Sequence, residues 1–109
     1  MYLAMNRFKV RKGSEEAFEN VWKARDSSLA EMRGFRDFHL LRGPLNEEED
    51  YTLFVSHTEW ASRDDFVAWT KSDNFRAAHS NAGNNKPLYI GHPQFEGFEV
   101  VEGASRGLG

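Results

Sequence analysis

Residues 35–60 read FRDFHLLRGPLNEEEDYTLFVSHTEW, two runs of aromatic, aliphatic and β-branched residues separated by a breaker and an acidic cluster. The first run, FRDFHLLRG, stops at Gly43-Pro44, LNEEED follows as a polar loop, and YTLFVSHTEW is the second run. Strand, loop, strand in this order predicts an antiparallel hairpin at the middle of the chain. What lies on either side of it then sets the architecture.

Upstream, YLAMNRFKV (residues 2–10) alternates, with Tyr2, Ala4, Asn6, Phe8 and Val10 on one side and Leu3, Met5, Arg7 and Lys9 on the other, which predicts a strand. Gly13 breaks it. Ser14 stands as an N-cap before Glu15 and Glu16, and Phe18, Val21, Trp22 and Arg25 recur at helical spacing, so a first helix is expected from about 14 to 31. Gly34 ends that unit before the hairpin.

Downstream, Ser62-Arg63-Asp64-Asp65 has the spacing of a capping box and opens a second helix. Within FVAWTKSDNFRAAH (residues 66–79), Phe66 and Trp69 share one face, as do Phe75, Ala78 and His79. On one straight helix Trp69 and His79 would stand about 80° apart. Ser72 and Asp73 are N-cap residues in the middle of the stretch, however, and predict a break and restart that lets both side chains face one object. Residues 80–93, SNAGNNKPLYIGHP, read as a long loop of functional length, with His92 inside it. QFEGFEVVE (94–102) reads as the last strand and GASRGLG (103–109) as a flexible tail.

The resulting order β-α-β-β-α-β is the ferredoxin-like split pattern of the α+β class: one antiparallel sheet with both helices on one face, in a single domain spanning residues 1–109. No internal repeat of fixed period occurs, although the two β-α-β halves are loosely alike. Leu3 and Met5 point away from the helices, so the outer sheet face is expected to be covered by a second copy in a C2 homodimer.

Composition limits what such a domain can do. The chain has 109 residues, a net charge of −3, 39% hydrophobic and 14% aromatic residues, and no cysteine. Its Lys and Arg do not cluster, so the electrostatic footprint of a nucleic-acid binder is missing. Disulfides, thiolate metal sites and Cys nucleophiles are excluded, which suits a reducing compartment. No stretch approaches the roughly 20 apolar residues of a membrane span and the N-terminus has no signal-peptide pattern, so a cytoplasmic protein without membrane partners is expected. No Gly-rich phosphate cradle is present to seat a nucleotide cofactor.

Asn6 stands out, because it sits mid-strand on the face that the helices should cover. An unpaired amide there costs about 1–3 kcal/mol, so it bonds a neighbour or something bound between helix and sheet. Trp69 taken alone reads as core, and His79 as a complement to a helix C-terminus or as a metal or haem ligand beside a roomy loop. His39 and His57 lie in the two hairpin strands without close ligand spacing, and a two-His metal site there is the weaker reading.

Taken together, Asn6 in the first strand, FVAWTKSDNFRAAH with Trp69 and His79, and GFRDFHLLRG after the first helix resemble the IsdG-type haem-degrading monooxygenases of the antibiotic-biosynthesis-monooxygenase-like superfamily, most of all the bacterial haem oxygenases HmuQ and HmuD. The resemblance runs to about residue 102. It implies a dimeric α+β barrel binding haem between helices and sheet, with an Asn, Trp, His set that falls on Asn6, Trp69 and His79. His79 would be the axial ligand to haem iron, Asn6 would donate its amide N–H to the ligand on the other side, and Trp69 would press on the macrocycle and ruffle it. Haem would be substrate as well as cofactor, its ring opened by O2 with electrons from an external reductase or small reductant. Arg25 is either a propionate contact or a snorkelling surface residue at the edge of the apolar stripe, and Phe8, Phe66 and Phe75 are expected pocket walls as well as core. Three other readings share these residues: a cofactor-independent monooxygenase of polyphenols or quinols, a non-catalytic haem-binding module, and a small dimeric interaction protein.

Overall fold

The computed structural model describes residues 1–25, 29–79 and 87–106. In chain order these form β1 (Tyr2–Arg11), α1 (Glu15–Ala24), a single 3-10 turn (Leu29–Glu31), β2 (Phe35–Asn46), β3 (Tyr51–Trp60), α2 (Arg63–Thr70), α3 (Asp73–His79) and β4 (Tyr89–Glu99). The four strands make one sheet in the order β2-β3-β1-β4, every neighbour antiparallel. The central hairpin forms as expected, with Phe38 opposite Thr58 and Leu41 opposite Val55.

Alternation decides which face is covered. Tyr2, Ala4, Phe8 and Val10 of β1 are buried together with Thr52, Phe54, Ser56, Thr58 and Trp60 of β3. This inner face carries two clusters. Phe8, Val10, Phe18 and Phe54 pack with Trp22 and Tyr89 under α1, while Tyr2, Ala4, Leu29, Trp60 and Trp69 pack with Phe35, Phe66 and Phe75 under α2 and α3. One close approach requires glycine: a Cβ on Gly97 of β4 would collide with the Tyr2 phenol lying across that strand. On the opposite face Leu3 and Met5 are half-buried, and Leu41 and Phe98 are exposed.

Several boundaries differ from the sequence reading. The first helix ends at Ala24 rather than near residue 31, because Arg25 turns the backbone into an extended conformation (φ −75°, ψ 125°). Ser14 occupies the N-cap position without a side-chain cap bond; the backbone N–H of Gly13 instead donates to Glu15 Oε1 at 2.8 Å. β2 runs through Gly43-Pro44 to Asn46, with a register irregularity between Arg42 and Leu45. β4 begins at Tyr89, so His92 and Pro93 are strand residues rather than loop, and a second irregularity falls between Arg7 and Lys9. Both prolines are tolerated for one reason: β2 and β4 are the sheet edges, where a missing N–H interrupts no central ladder. Residues 80–86 of the expected long loop lie outside the described residues.

The α2–α3 break is where the sequence places it. Ser62 caps α2 by accepting from the Asp65 N–H at 3.2 Å. Ser72 then serves both helices: its hydroxyl donates to the Trp69 carbonyl at 2.6 Å and accepts from the Phe75 N–H at 3.1 Å. Among the described residues, no helix is long and apolar enough to cross a membrane.

Candidate functional site

Between the two clusters, with the sheet as floor and the helices as walls, lies a cavity of ≈ 700 Å³. That volume falls within the range of pockets that enclose whole cofactor-sized ligands. Each element contributes through its own periodicity. Phe18, Val21 and Trp22 of α1, with Arg25 just past its end, form one wall, and Phe66, Trp69 and Thr70 of α2 with Phe75 of α3 form the other. Ala4, Asn6 and Phe8 of β1, Ser56 and Thr58 of β3, and Tyr89, Pro93 and Phe95 of β4 make the floor and its edge.

The aromatic walls are rigidly interlocked. Trp69 packs on Trp60 at 5.6 Å and meets Phe75 edge-on at 4.8 Å and 87°, a contact across the α2–α3 break that an unbroken helix would not allow. Phe66 stacks on Phe95 at 5.5 Å and 8°. On the other side Phe8 meets Phe18 at 5.2 Å, Trp22 at 5.9 Å and Tyr89 at 5.5 Å. Flat, polarisable walls of this kind suit a large planar ligand.

Polar groups in the cavity are few. Arg25 stacks its guanidinium over the Trp22 ring, 4.2 Å from the centroid. Burial lowers its pKa from the ordinary arginine value, with Tyr89 opposing, but a guanidinium of such basicity stays cationic. Asn6 is half-buried and faces the cavity from mid-β1, flanked by Ser56 on β3 and Phe95 on β4.

Of the residues singled out by sequence, Asn6, Arg25, Phe8, Phe66, Trp69 and Phe75 therefore converge on one cavity. Phe8 and Trp69 are at the same time core residues, 8 % exposed each. His79 is the last residue of α3, and its side chain lies outside the described residues. His39 and His57 are cross-strand partners with rings 6.2 Å apart, but their register sets them on the outer sheet face with Met5, away from the cavity. His39 Nε2 lies 3.0 Å from Asp37 Oδ2. Among the described residues, no group of three or more His, Asp or Glu is arranged to hold a metal ion. Tyr89 and Pro93, from the 80–93 stretch expected to line the pocket, do line it, whereas sequence reading missed Ser56 and Phe95; the signal was the two-residue period of β3 and β4, usable only once their pairing with β1 is known.

Fold and site together define a small α+β domain with an aromatic-walled cavity between sheet and helices, and the comparisons give its family. Residues 1–81 match the family model described as "Antibiotic biosynthesis monooxygenase", and the chain belongs to that family. It is 33% identical over 86 residues to a staphylobilin-producing haem oxygenase of Staphylococcus saprophyticus, covering 79% of this chain and 80% of that one. It is 34% identical over 104 residues to a haem-degrading monooxygenase of Shouchella clausii, covering 92% and 90%. Among solved structures, a MhuD variant with two manganese protoporphyrin IX molecules bound per active site superposes with a TM-score of 0.71 at 28% identity, covering 93% of this chain and 95% of that one.

Proposed function

We propose that this protein is a haem-degrading monooxygenase, which takes haem as substrate into the inner-face cavity and opens the porphyrin ring with dioxygen and externally supplied electrons, releasing iron and a bilin-type product. The observation that carries this reading is the cavity itself: ≈ 700 Å³, walled by interlocked aromatics, with a cation on one wall and a carboxamide in its floor. A planar, mostly apolar macrocycle with acidic side arms and one reactive metal centre is complementary to each of these features. The names of the relatives, a haem oxygenase and a haem-degrading monooxygenase, point the same way.

The residues divide the work by chemistry. Bound haem supplies the iron at which dioxygen is activated. His79, closing α3, would hold that iron through an imidazole nitrogen. Asn6, in the sheet floor, would donate its carboxamide N–H to a small ligand carried by the haem. Trp69, wedged between Trp60 and Phe75, cannot retreat and so bears on the macrocycle. Arg25 pairs a propionate carboxylate, a charge-assisted bond strengthened by the partly desolvated setting of its guanidinium. Phe8, Phe66 and Phe75 exclude water. The outer face, with Leu3, Met5, Leu41 and Phe98, is closed by a second copy in a C2 dimer.

The test is a haemin titration of the purified protein by visible absorbance, followed by ascorbate in air with catalase present. A saturable histidine-ligated Soret band that decays to a bilin-like spectrum with iron release is expected. A band that persists under reductant would make the protein a haem carrier, and no band would remove haem from the account.

A further inference from the structure

Two polar side chains stand side by side on the cavity floor, and neither is used by the fold. Asn6 and Ser56 are direct partners across the β1–β3 ladder, which on an antiparallel pair sets their Cβ atoms about 5 Å apart on one face. Ser56 is only 7 % exposed and lines the cavity, yet its hydroxyl has no hydrogen-bond partner among the described residues. The neighbouring hydroxyls differ. Thr58, two residues along the same face, accepts from Trp60 Nε1 at 3.0 Å and donates to the Ala4 carbonyl at 3.4 Å. Thr70 donates to the Val67 carbonyl at 2.6 Å. The Ser56 hydroxyl opens onto the cavity rather than being sealed in the core, so a molecule held there can complete its hydrogen bonding, and the fold itself makes no use of it. The floor therefore holds an unassigned polar group next to the one residue, Asn6, already expected to contact the reacting ligand.

We propose that Ser56 is a second hydrogen-bonding residue of the haem site: its Oγ–H and the Asn6 carboxamide N–H converge on one small polar ligand held at the haem iron over the floor. This rests on the haem reading above. A single donor restrains such a ligand in distance and leaves it free to turn about its own axis. Two donors on adjacent strands also hold its direction, and with it the edge of the ring that it faces. Ser56 is thereby a specificity residue for which ring carbon is attacked.

The experiment uses azide as the probe, titrated by visible absorbance into the ferric haem complexes of the parent, Ser56→Ala and Asn6→Ala, with haem affinity measured on the same samples. A lost hydrogen bond to an anion predicts azide binding about tenfold weaker in Ser56→Ala, equivalent to about 1.4 kcal/mol, with haem affinity within about threefold of the parent. Ser56→Thr and Ser56→Val, near-isosteric apart from the hydroxyl, repeat the comparison independently of alanine's smaller volume: threonine is expected to bind azide like the parent, and valine like alanine. Azide affinity within twofold of the parent in Ser56→Ala and Ser56→Val, with the Soret band intact, would overturn the assignment of Ser56 alone. Equal loss in Ser56→Thr and Ser56→Val would also overturn it, since packing and not the hydroxyl would then be responsible. Absence of any Soret band in the parent would instead overturn the haem reading, and this assignment with it.

Discussion

Replacing Asn6 by valine should make the ligand-free protein more stable and, at the same time, inactive. Asn6 is a mid-strand residue of a central strand, and asparagine is depleted from strands relative to β-branched residues on a scale spanning about 1 kcal/mol. Its carboxamide forms no hydrogen bond among the described residues while half-buried at the cavity floor. Complete burial would carry about 1–3 kcal/mol of unmet desolvation, and an amide that still sees the cavity keeps about 1 kcal/mol of that. Together the two effects amount to about 1–2 kcal/mol in favour of valine. For a domain of this size that raises Tm by about 4–8 °C. The assay is thermal unfolding of the apo-protein by circular dichroism, kept free of haem because a ligand that binds only the folded state would raise Tm by itself. Most substitutions lower stability by about 1 kcal/mol, so an increase is diagnostic. A fall in Tm would refute the reasoning, because it would mean that Asn6 is a structural residue satisfied within the fold rather than one held for the reaction at the expense of stability.

Phe18 is the one buried residue of α1, 2 % exposed and packed against Phe54 at 5.1 Å and Phe8 at 5.2 Å. Phe18→Ala should lower the unfolding free energy by about 3–5 kcal/mol in denaturant titration with an unchanged m-value, and a loss below about 1.5 kcal/mol would show that α1 is not pinned there. The Glu15 carboxyl is held below its ordinary pKa, chiefly by the Thr52 hydroxyl donating to it at 2.8 Å. A folded-state pKa below the unfolded one stabilises the protein above the ordinary carboxylate value, and that contribution is lost as pH falls through the depressed value. Thr52→Val should therefore return Glu15 toward its ordinary pKa in a carboxyl NMR titration and flatten the acid limb of the stability–pH curve. An unmoved Glu15 titration would count against the Thr52 bond as its cause.

Much of this molecule is written locally. The alternation of Tyr2, Ala4, Phe8 and Val10, the Ser62 cap and the restart at Ser72 each depend on contacts within a few residues, and each is found where the sequence puts it. The stripe of Phe18, Val21 and Trp22 was equally legible, and its members line the cavity together with Arg25. Three features were not. The first helix stops at Ala24, because an extended Arg25 brings its guanidinium over Trp22, a choice made by packing and not by propensity. Pro44 and Pro93 read as strand breakers but lie within strands, since only the sheet order reveals that β2 and β4 are edges. Ser56 could not be seen as a neighbour of Asn6, because fifty residues of chain separate them and a shift of one residue in the β1–β3 register would send the hydroxyl to the other face. The sequence by itself determined the elements, their order and which side of each is apolar, because those follow from side-chain period and capping. Only the tertiary structure decided which polar groups share the cavity, because register and edge position are set by the summed packing of the whole sheet.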